Sequence, residues 1–462
     1  MSAARGPARF EAPDPATRPG WRPALDILAA GLAGADPSAA LRRHLKREGD
    51  RLICGESAID LGQVDRVFLV AAGKAATAMV QTAEAILGER LAAGVAVTAR
   101  GTEGPTERTT LHAGGHPLPD PGSLLASRHI ARLLEQAGER DLVLTLISGG
   151  ASSLLELPAG RIPLIDVQST TSSLLASGAS IGELNTVRKH ISRVKGGGLA
   201  RLAAPARLLT LVLSDIVGSP LDMVGSGPSL PDPTTYADAA TVIARRQLWS
   251  ALPASIGEHL RRGMAGELPE TPKPGDPIFA HAETHLIGDN AGAVAAAERQ
   301  ARALGYHSLV LSTWLEGEAR EAGRLLAAVG KELATHDRPI ARPACILIGG
   351  ETTVRVRRLG GRGGRNQELA LAAALALDDP RWAGVTLAAL GTDGIDGASD
   401  AAGAIVDGSS ASRARAAGLD PVEALDRHDS AGFFAALGDA IVCGPTGTNV
   451  NDLALILVGE PG

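Results

Sequence analysis

Residues 66–87 read RVFLVAAGKAATAMVQTAEAIL, and this stretch contains the pattern that decides the fold. An apolar, partly β-branched run comes first, a turn follows at Gly73, and a segment with helical periodicity comes after the turn. The same order recurs in DLVLTLISGGASSLLELP at 141–158, and RLLTLVLSDIVG at 207–218 begins the pattern again. Apolar strands that alternate with helices are typical of parallel sheets covered on both faces. The sequence therefore predicts an α/β fold with largely parallel sheets flanked by helices.

A proline-rich stretch divides the chain into two predicted domains. Residues 266–280, GELPETPKPGDPIFA, contain four prolines, mixed charge and no helical period, which indicates a linker. The strand-and-helix pattern restarts after it with THLIGDN and continues through PACILIGGETTV and VTLAALGTDGIDG. We predict a flexible N-terminal tail at 1–22, an α/β domain at 23–265 and a second α/β domain at 281–462. Ligands of open α/β sheets bind beyond the carboxyl ends of the strands, so we expect the clefts of these domains to contain the chemistry.

The composition excludes several classes of protein. The 462 residues are 45% hydrophobic and 21% charged, which is typical of a globular protein with a sizeable core. A net charge of −6 and an aromatic content of 2% argue against nucleic acid as a partner. The start has no apolar h-region and no run approaches the ~18 apolar residues of a membrane helix, so no membrane association is predicted. Cys54, Cys345 and Cys443 are far apart and lack CxxC spacing, which argues against a disulfide framework and against a zinc site. The sequence therefore predicts a reducing compartment, the cytoplasm. Both a monomer and a homo-oligomer fit these numbers.

The first two strand-end loops have the composition of an anion site. Lys74 stands at the expected start of a helix, where an ammonium opposes the helix dipole but adds to the attraction for an anion. An ordinary solvated lysine is the alternative. The loop SGGASS at 148–153 offers backbone amides and hydroxyls to phosphate oxygens, although many such turns bind nothing. The binding residues predicted in it are Ser148, Gly149, Gly150 and Ser152.

A basic stripe is predicted in ELNTVRKHISRVKGGG, residues 183–198. Its apolar residues recur with helical spacing, and they are Leu184, Val187, Ile191 and Val194. A polar set has the same spacing one position further along, and it consists of Asn185, Arg188, Ser192 and Lys195. This polar set would lie at the edge of the packed face, and an ordinary solvated face is the alternative.

The next strand is followed by a carboxylate and a glycine-serine loop. Asp215 ends the strand, and a carboxylate there suits Mg²⁺, which prefers oxygen ligands. Capping of the following turn is the alternative role for Asp215. The loop GSGP at 225–228 adds Ser226 and Gly227 as predicted binding residues.

Loops of the second half complete the set of candidates. An arginine between the glycine loop 360–364 and a helix resembles a phosphate clamp, because its planar fork binds oxyanions in a bidentate manner. The candidates in this half are Glu351, Thr352, Arg365, Asn366, Asp393 and Asn449. Two long cations, several carboxylates and many glycine amides at strand ends form an inventory that suits phosphoryl transfer.

These loops together resemble one known family. The resemblance rests on nine stretches between residues 71 and 453, namely AAGKAATAM, AGGHPLPDPGS, LISGGASSLLELP, LNTVRKHISRVKGGGLA, SDIVGSPLDMVGSGPSLPDPTT, GGETTV, GGRNQELALA, GTDGIDGASDAAGA and TGTNVNDL. In this order they resemble the glycerate kinases whose second half carries the Leu-rich MOFRL domain. The resemblance implies two α/β domains with the active site in the cleft between them. It also implies ATP with Mg²⁺ or another divalent cation, phosphorylation of the 2-hydroxyl of D-glycerate, and catalytic roles for Lys74 and Arg365. Members of this family have often been labelled hydroxypyruvate reductases.

The expected mechanism assigns a role to each charged candidate. Mg²⁺ bridges the β- and γ-phosphates, and Lys74 and Arg365 neutralise charge on the transferring group. Asp393 accepts the hydroxyl proton or holds the metal, and Arg188 or Lys195 binds the glycerate carboxylate.

Two rival functions remain at this level. An NAD(P)-dependent hydroxypyruvate reductase needs a GxGxxG turn after a strand, and the sequence contains none. A non-catalytic sugar-acid-binding regulator is the other rival, and the joint presence of Lys74, Arg365 and Asp393 argues against it.

Overall fold

The chain forms two compact units in the computed structural model. The model describes Phe10, Arg18 and residues 20–356 and 360–459. The inserted unit consists of residues 37–287, and the composite unit consists of residues 1–36 together with residues 288–462. Most of the tail predicted at 1–22 lies outside the described residues.

A six-stranded sheet forms the centre of the inserted unit. The strands of this unit are, in chain order, β1 (Leu45–Glu48), β2 (Arg51–Cys54), β3 (Ser57–Asp60), β4 (Val67–Ala72), β5 (Leu91–Ala99), β6 (Thr109–Gly114), β7 (Leu142–Ile147), β8 (Arg207–Leu213) and β9 (Ala282–Gly288). The sheet has the order β6-β5-β4-β7-β8-β9, and the pairs from β6 to β8 are parallel. Every residue of β4 and β7 is buried, as the continuous apolar runs predicted. The α/β prediction is confirmed, and the parallel sheet is found in this unit.

Helices connect and cover these strands. Helix α1 (Trp21–Gly34) belongs to the composite unit, and the helices of the inserted unit are α2 (Pro37–His44), α3 (Ala76–Leu87), α4 (Pro121–Leu134), α5 (Ala151–Leu154), α6 (Leu164–Ala176), α7 (Ile181–His190), α8 (Gly198–Ala203), α9 (Tyr236–Arg245) and α10 (Ala254–Met264). Asp120, Ser180 and Thr235 precede α4, α7 and α9, and each side chain accepts a hydrogen bond from the backbone three residues on. These caps fix where the three helices begin, because they satisfy amides that lack a partner within the helix.

The proline-rich stretch 266–280 is part of the inserted unit, whereas the sequence predicts it as the linker between domains. Thr271 Oγ1 donates to Asp232 Oδ2 at 2.9 Å, and the Asp232 N–H donates to Pro272 O at 2.8 Å. The stretch contains only one short 3-10 helix, Pro277–Phe279, and Thr271 and Pro272 bond to the neighbouring loop at Asp232. The chain instead passes between the units at 36–37 and at 287–288.

The composite unit is built on a second six-stranded sheet. Its strands are β10 (His307–Leu315), β11 (Ala344–Gly350), β12 (Val385–Gly391), β13 (Gly403–Asp407), β14 (Ala440–Ile441) and β15 (Asp452–Val458). Its helices besides α1 are α11 (Asn290–Ala303), α12 (Ala319–His336), α13 (Arg365–Ala376), α14 (Ser410–Ala416), α15 (Pro421–Asp426) and α16 (Ser430–Leu437).

The second sheet is mixed, which corrects the prediction of largely parallel sheets in both domains. Its order is β10-β11-β15-β12-β13-β14, and only the β10–β11 pair is parallel among the pairs with a described register. β15 lies between β11 and β12 and runs antiparallel to both. Its seven residues are all buried. An apolar run indicates that a strand is buried on both faces. A parallel and an antiparallel strand can be buried equally, so such a run does not predict the direction of the strand.

Helix α1 packs within the composite unit, although the sequence predicts residues from 23 onward to belong to the first domain. The Trp21 ring is 1% exposed, and its Nε1 donates to Asp407 Oδ2 at 3.0 Å. A Cβ added to Gly34 would lie 2.5 Å from the Cβ of Ala296 on α11, so glycine permits the close approach of the two helices. Among the described residues, no single helix is long and apolar enough to cross a membrane.

Candidate functional site

Three loops of the inserted unit meet because β4, β7 and β8 are adjacent parallel strands. Parallel strands end at the same edge of a sheet, so the residues that follow them are neighbours. The loops are Gly73-Lys74 after β4, Ser148-Gly149-Gly150 after β7 and Ser214-Asp215 after β8. The structure therefore brings together the candidates that the sequence predicts after these strands.

The loop after β4 is joined to the loop after β7. The Lys74 N–H donates to Gly149 O at 2.8 Å, and the Ala75 N–H donates to Ser148 Oγ at 3.1 Å. Gly73 has a φ of +134°, and a Cβ there would lie 2.6 Å from Ser148 O. Ser148 thus fixes the turn that carries Lys74, and its hydroxyl is used inside the protein.

Gly149 allows the carboxylate of Asp215 to approach the same loop. A Cβ on Gly149 would collide with Asp215 Oδ2 and would lie 3.0 Å from Asp215 Cβ. In the turn after β8, the Ile216 N–H donates to Ser214 Oγ at 3.2 Å. The half-buried Asp215 carboxylate therefore lies against the Ser148-Gly149-Gly150 loop at the end of the sheet.

Three of the predicted binding residues bond to one another. Ser226 Oγ donates to Asn185 Oδ1 at 2.9 Å and lies 3.0 Å from Ser152 Oγ. Asn185 Nδ2 donates to Met223 O at 3.2 Å, and Ser226 is fully buried. Gly227 has a φ of +61°, and a Cβ there would lie 2.7 Å from Asp222 O. These hydrogen bonds connect α7 to the loop 225–228 and to Ser152, so the three residues stabilise the loops of the site.

The two cations of the predicted basic stripe differ in their surroundings. Helix α7 ends at His190, so Lys195 is not on the helix that carries Arg188, and the predicted stripe is interrupted. Lys195 is 1% exposed and its Nζ donates to Glu156 Oε2 at 2.8 Å, which makes it an internal ion pair. Burial lowers the pKa of Lys195, and the charge of Glu156 opposes that shift.

Arg188 is buried without a direct partner. It is 8% exposed, and within the described part of the chain its guanidinium forms no hydrogen bond or ion pair. Burial lowers its pKa, and only the more distant charge of Glu156 compensates. The alternative of a solvated polar face is excluded, since Asn185 and Ser192 are buried as well. An arginine held in this way is a ready receptor for an oxyanion.

Lys74 is the second cation available at this edge. It is half-buried, and among the residues that the structure describes its ammonium has no hydrogen-bond or ion-pair partner. Its Cγ would be 3.4 Å from a Cβ on Gly150, so the side chain passes over the glycine loop. Gly150 has a φ of +84°, a conformation that glycine adopts without strain.

His116 also lies over Gly150, although it is not among the site residues that the sequence predicts. A Cβ on Gly150 would be 3.0 Å from His116 Cδ2 and 3.3 Å from His116 Nε2. Desolvation lowers the pKa of His116 to about 4, and the charges of Lys74 and Arg188 add to the shift. The signal that could have found it is positional, since His116 follows the end of β6 within the quoted stretch AGGHPLPDPGS.

In the composite unit, the register of β15 assembles a second cluster. Asp452 begins β15 and is paired with Gly350 at the end of β11 and with Gly391 at the end of β12. The side chains that follow those two strands are therefore neighbours of Asp452. They include Glu351 and Asp393, whose Oδ1 would be 3.2 Å from a Cβ on Gly391.

Arg365 is held by two of these carboxylates. Its Nε and Nη2 donate to the two oxygens of Asp452 at 2.5 and 2.9 Å, and its Nη1 lies 2.8 Å from Glu351 Oε1. Burial opposes the charged form of Arg365, but the bonds to Asp452 outweigh it and raise its pKa. Burial raises the pKa of Asp452 to about 6. Among the described residues, these contacts use three of the five guanidinium N–H groups and leave two for a ligand.

The other candidates of this unit mainly support the backbone. Asp396 accepts hydrogen bonds from the Asn366 and Gln367 N–H groups at 3.1 and 2.8 Å, and it thereby caps α13. Asn449 Oδ1 accepts from the Asn451 N–H at 3.1 Å. Thr352 is 4% exposed, and Asp393 Oδ1 accepts from the Ile395 N–H at 3.2 Å.

The described residues contain no group of three or more His, Cys, Asp or Glu side chains arranged to hold a metal ion. A metal that the protein alone encloses is therefore not supported by them. A metal that takes most of its ligands from phosphates and water needs only one or two carboxylates. Asp215 and Asp393 are half-buried carboxylates of that kind.

Two family models match the sequence. One describes a domain of unknown function, DUF4147, and matches residues 23–261, and the other describes the MOFRL family and matches residues 344–452. The D-glycerate 2-kinase of Thermotoga maritima is 45% identical over 86% of this chain and 91% of its own length. The glycerate 2-kinase of Pyrococcus horikoshii is 39% identical over 94% of this chain and 96% of its own length.

Solved structures are similar over the same extent. The crystal structure of the Thermotoga maritima glycerate kinase has a TM-score of 0.83 and 41% identity, and the match covers 95% of this chain and 99% of that one. A Pyrococcus horikoshii protein has a TM-score of 0.82 and 38% identity over 95% of this chain and 98% of that one.

Proposed function

The chain belongs to the glycerate kinase family in which a DUF4147 domain precedes a MOFRL domain, and from this membership we propose that it transfers the γ-phosphoryl group of ATP to the 2-hydroxyl of D-glycerate. The products are 2-phosphoglycerate and ADP. One structural observation carries the proposal. Among the described residues, Lys74 and Arg188 have no hydrogen-bond or ion-pair partner, and both charges act on His116, which lies over the loop of glycine and serine residues after β7. This group of residues suits a substrate pair with a carboxylate and a polyphosphate.

The residues of the inserted unit divide the binding of the two substrates. Lys74 binds the γ-phosphate and stabilises the charge on its oxygens during transfer. Arg188 binds the glycerate carboxylate through its planar fork, and this choice over Lys195 follows from the ion pair that Lys195 already forms with Glu156. Gly149 and Gly150 leave room for phosphate oxygens beside the backbone.

The composite unit contributes Arg365 and its carboxylates. Arg365 donates its two remaining N–H groups to the phosphates, and the bonds to Asp452 and Glu351 hold its fork in one orientation. A guanidinium that is fixed before the ligand binds loses little entropy on binding, which favours preorganised stabilisation of the transferring group. That Lys74 and Arg365 act on one phosphoryl group remains part of the proposal.

Asp215 and Asp393 are the residues that would hold Mg²⁺ or another divalent cation. The fit rests on their half-buried carboxylates and on the preference of Mg²⁺ for carboxylate, phosphate and water oxygens. When bound, the ion neutralises negative charge on the polyphosphate. We further propose the reducing cytoplasm as the compartment, because Cys54, Cys345 and Cys443 are free thiols.

Two assays and one variant test the proposal. Incubation with ATP, Mg²⁺ and D-glycerate should give ADP and a 2-phosphoglycerate signal in the phosphorus NMR spectrum, whereas NADPH and hydroxypyruvate should give no turnover. The Lys74→Ala variant should lose on the order of 100-fold in kcat with normal folding, because a preorganised charge partner of the transition state is removed. A 3-phosphoglycerate product, or full activity in Lys74→Ala, would contradict the proposal.

A further inference from the structure

His116 is an accessible imidazole on which the charges of Lys74 and Arg188 both act. It follows the end of β6 by two residues and is exposed, and within the described ranges its ring forms no hydrogen bond or ion pair. Its Nε2 and the Cγ of Lys74 would lie 3.3 and 3.4 Å from the same Cβ position on Gly150. The imidazole and the stem of Lys74 therefore border one small space above the glycine loop.

We propose that His116 accepts the proton of the reacting glycerate hydroxyl. This inference rests on the proposed kinase activity and replaces Asp393 in the role of proton acceptor. The 2-hydroxyl and the carboxylate of glycerate are on adjacent carbon atoms, so the proton acceptor must lie close to the group that binds the carboxylate. His116 meets this condition within the inserted unit, because the charges of both Lys74 and Arg188 act on its ring.

The charges around the ring link its basicity to the presence of substrates. In the free protein the pKa of His116 is lowered to about 4 by desolvation and by Lys74 and Arg188, so the ring is uncharged at neutral pH. A carboxylate at Arg188 and phosphates at Lys74 compensate those two cations. The pKa of His116 then rises from its value in the free protein, while desolvation, the largest cause of the shift, still lowers it. The ring is thus a stronger base when both substrates are bound than in the free protein.

The proposed step exchanges one phosphorus–oxygen bond for another. The 2-oxygen of glycerate forms a bond to the γ-phosphorus, and the bond from that phosphorus to the β–γ bridging oxygen breaks. The hydroxyl proton passes to the imidazole of His116, which becomes an imidazolium. ADP leaves with the electron pair of the bridging oxygen, and the imidazolium then releases its proton to solvent.

Three histidine variants of the full-length protein test the assignment. His116→Ala should reduce kcat by on the order of 100-fold with little change in the KM for ATP, as expected for loss of a general base. His116→Gln should have the same low kcat as His116→Ala but a lower KM for glycerate than His116→Ala. The reason is that the amide oxygen of glutamine accepts a hydrogen bond from the hydroxyl but takes no proton. His129→Ala is the matched control and should retain wild-type kcat. The ring of His129 bonds to His112 Nε2 at 3.0 Å and is not one of the site residues.

Chemical rescue separates a base from a structural residue. Added imidazoles should restore turnover to His116→Ala, and the rescued rate should increase with the basicity of the imidazole used. A kcat within about 3-fold of wild type in either His116 variant, or rescue that does not depend on basicity, would overturn the proposal. If His116→Ala does not fold, the kcat of His116→Gln decides alone. An inactive wild-type protein would instead refute the proposed function.

Discussion

At the scale of single residues, the pairing of Arg365 with Asp452 separates folding from catalysis. Asp452 is 7% exposed, and burial raises its pKa to about 6, so at neutral pH it is ionised and relies on the guanidinium beside it. Removing only the cation leaves a buried carboxylate uncompensated, which typically costs about 3–5 kcal/mol.

We expect Arg365→Met to lower both the free energy of unfolding, by about 3–5 kcal/mol, and kcat, by on the order of 100-fold. The double variant Arg365→Met/Asp452→Asn should recover most of the stability, since the buried charge is gone, but none of the activity. Urea unfolding and steady-state kinetics measure the two effects. Arg381→Met is the control, because the Arg381–Asp379 pair is exposed and worth little. Recovery of activity in the double variant would refute a catalytic role for Arg365.

The sequence identifies most of the charged residues of the site but not their partners. Arg188 and Lys195 belong to one set of residues with helical spacing, but their partners differ. Arg188 has no ion-pair partner in the part of the chain that the structure describes, whereas Lys195 is neutralised by Glu156, which is 39 residues away in the chain. Spacing reports which residues share a helix face only as far as the helix extends, and α7 ends before Lys195. The pairing depends on tertiary contacts, which a local pattern does not contain.

At the scale of elements, the contact between the β4 and β7 loops fixes the shape of the sheet edge. Gly73 approaches the backbone of Ser148 so closely that no side chain fits between them. The N–H groups of Lys74 and Ala75 in the first loop donate to Gly149 O and Ser148 Oγ in the second. Any displacement at Gly73 therefore also moves Lys74.

Gly73→Ala should destabilise the protein by at least about 2 kcal/mol more than Gly101→Ala. Both glycines have positive φ, of +134° and +86°, so both substitutions incur backbone strain of about 1–2 kcal/mol. A Cβ on Gly101 meets nothing within 4 Å, whereas one on Gly73 would lie 2.6 Å from Ser148 O. Urea unfolding of the two variants measures the difference, and equal midpoints would show that the loop accommodates the methyl group.

Strand existence could be predicted from the sequence, whereas strand direction in the second sheet could not. β4, β7 and β15 are all continuous apolar runs, and all three are fully buried. β4 and β7 pair in parallel, but β15 pairs antiparallel with both neighbours. Burial selects the residue types in each case, while direction is set by the route of the connecting chain. The position of Asp452 beside Arg365 follows from that direction and was missed for the same reason.

At the scale of the whole molecule, a helix near the start of the chain stabilises the unit formed by its end. Trp21 on α1 is 1% exposed and bonds to Asp407, which ends β13. Loss of a buried tryptophan side chain typically costs about 3–5 kcal/mol. We expect this loss to lower the free energy of unfolding of the composite unit, because the Trp21 side chain packs there.

In calorimetry, Trp21→Ala should lower the unfolding temperature of the composite unit and leave that of the inserted unit close to wild type. Trp314→Ala is the matched control within the same unit, because its ring is 66% exposed and contributes little to the core. An equal shift of both unfolding transitions by Trp21→Ala would mean that the two units unfold as a single cooperative unit.

The division of the composite unit along the chain affects the order of events on the ribosome. Helix α1 is synthesised first, but its partner helix α11 begins only at Asn290, roughly 250 residues later. At about 5–20 residues per second, this interval lasts roughly 12 to 50 seconds. Throughout it the apolar face of α1 has no lasting partner, while the inserted unit is completed and can fold. Nascent chains stalled before Asn290 should therefore expose α1 to chaperones and proteases, and chains released after β15 should not.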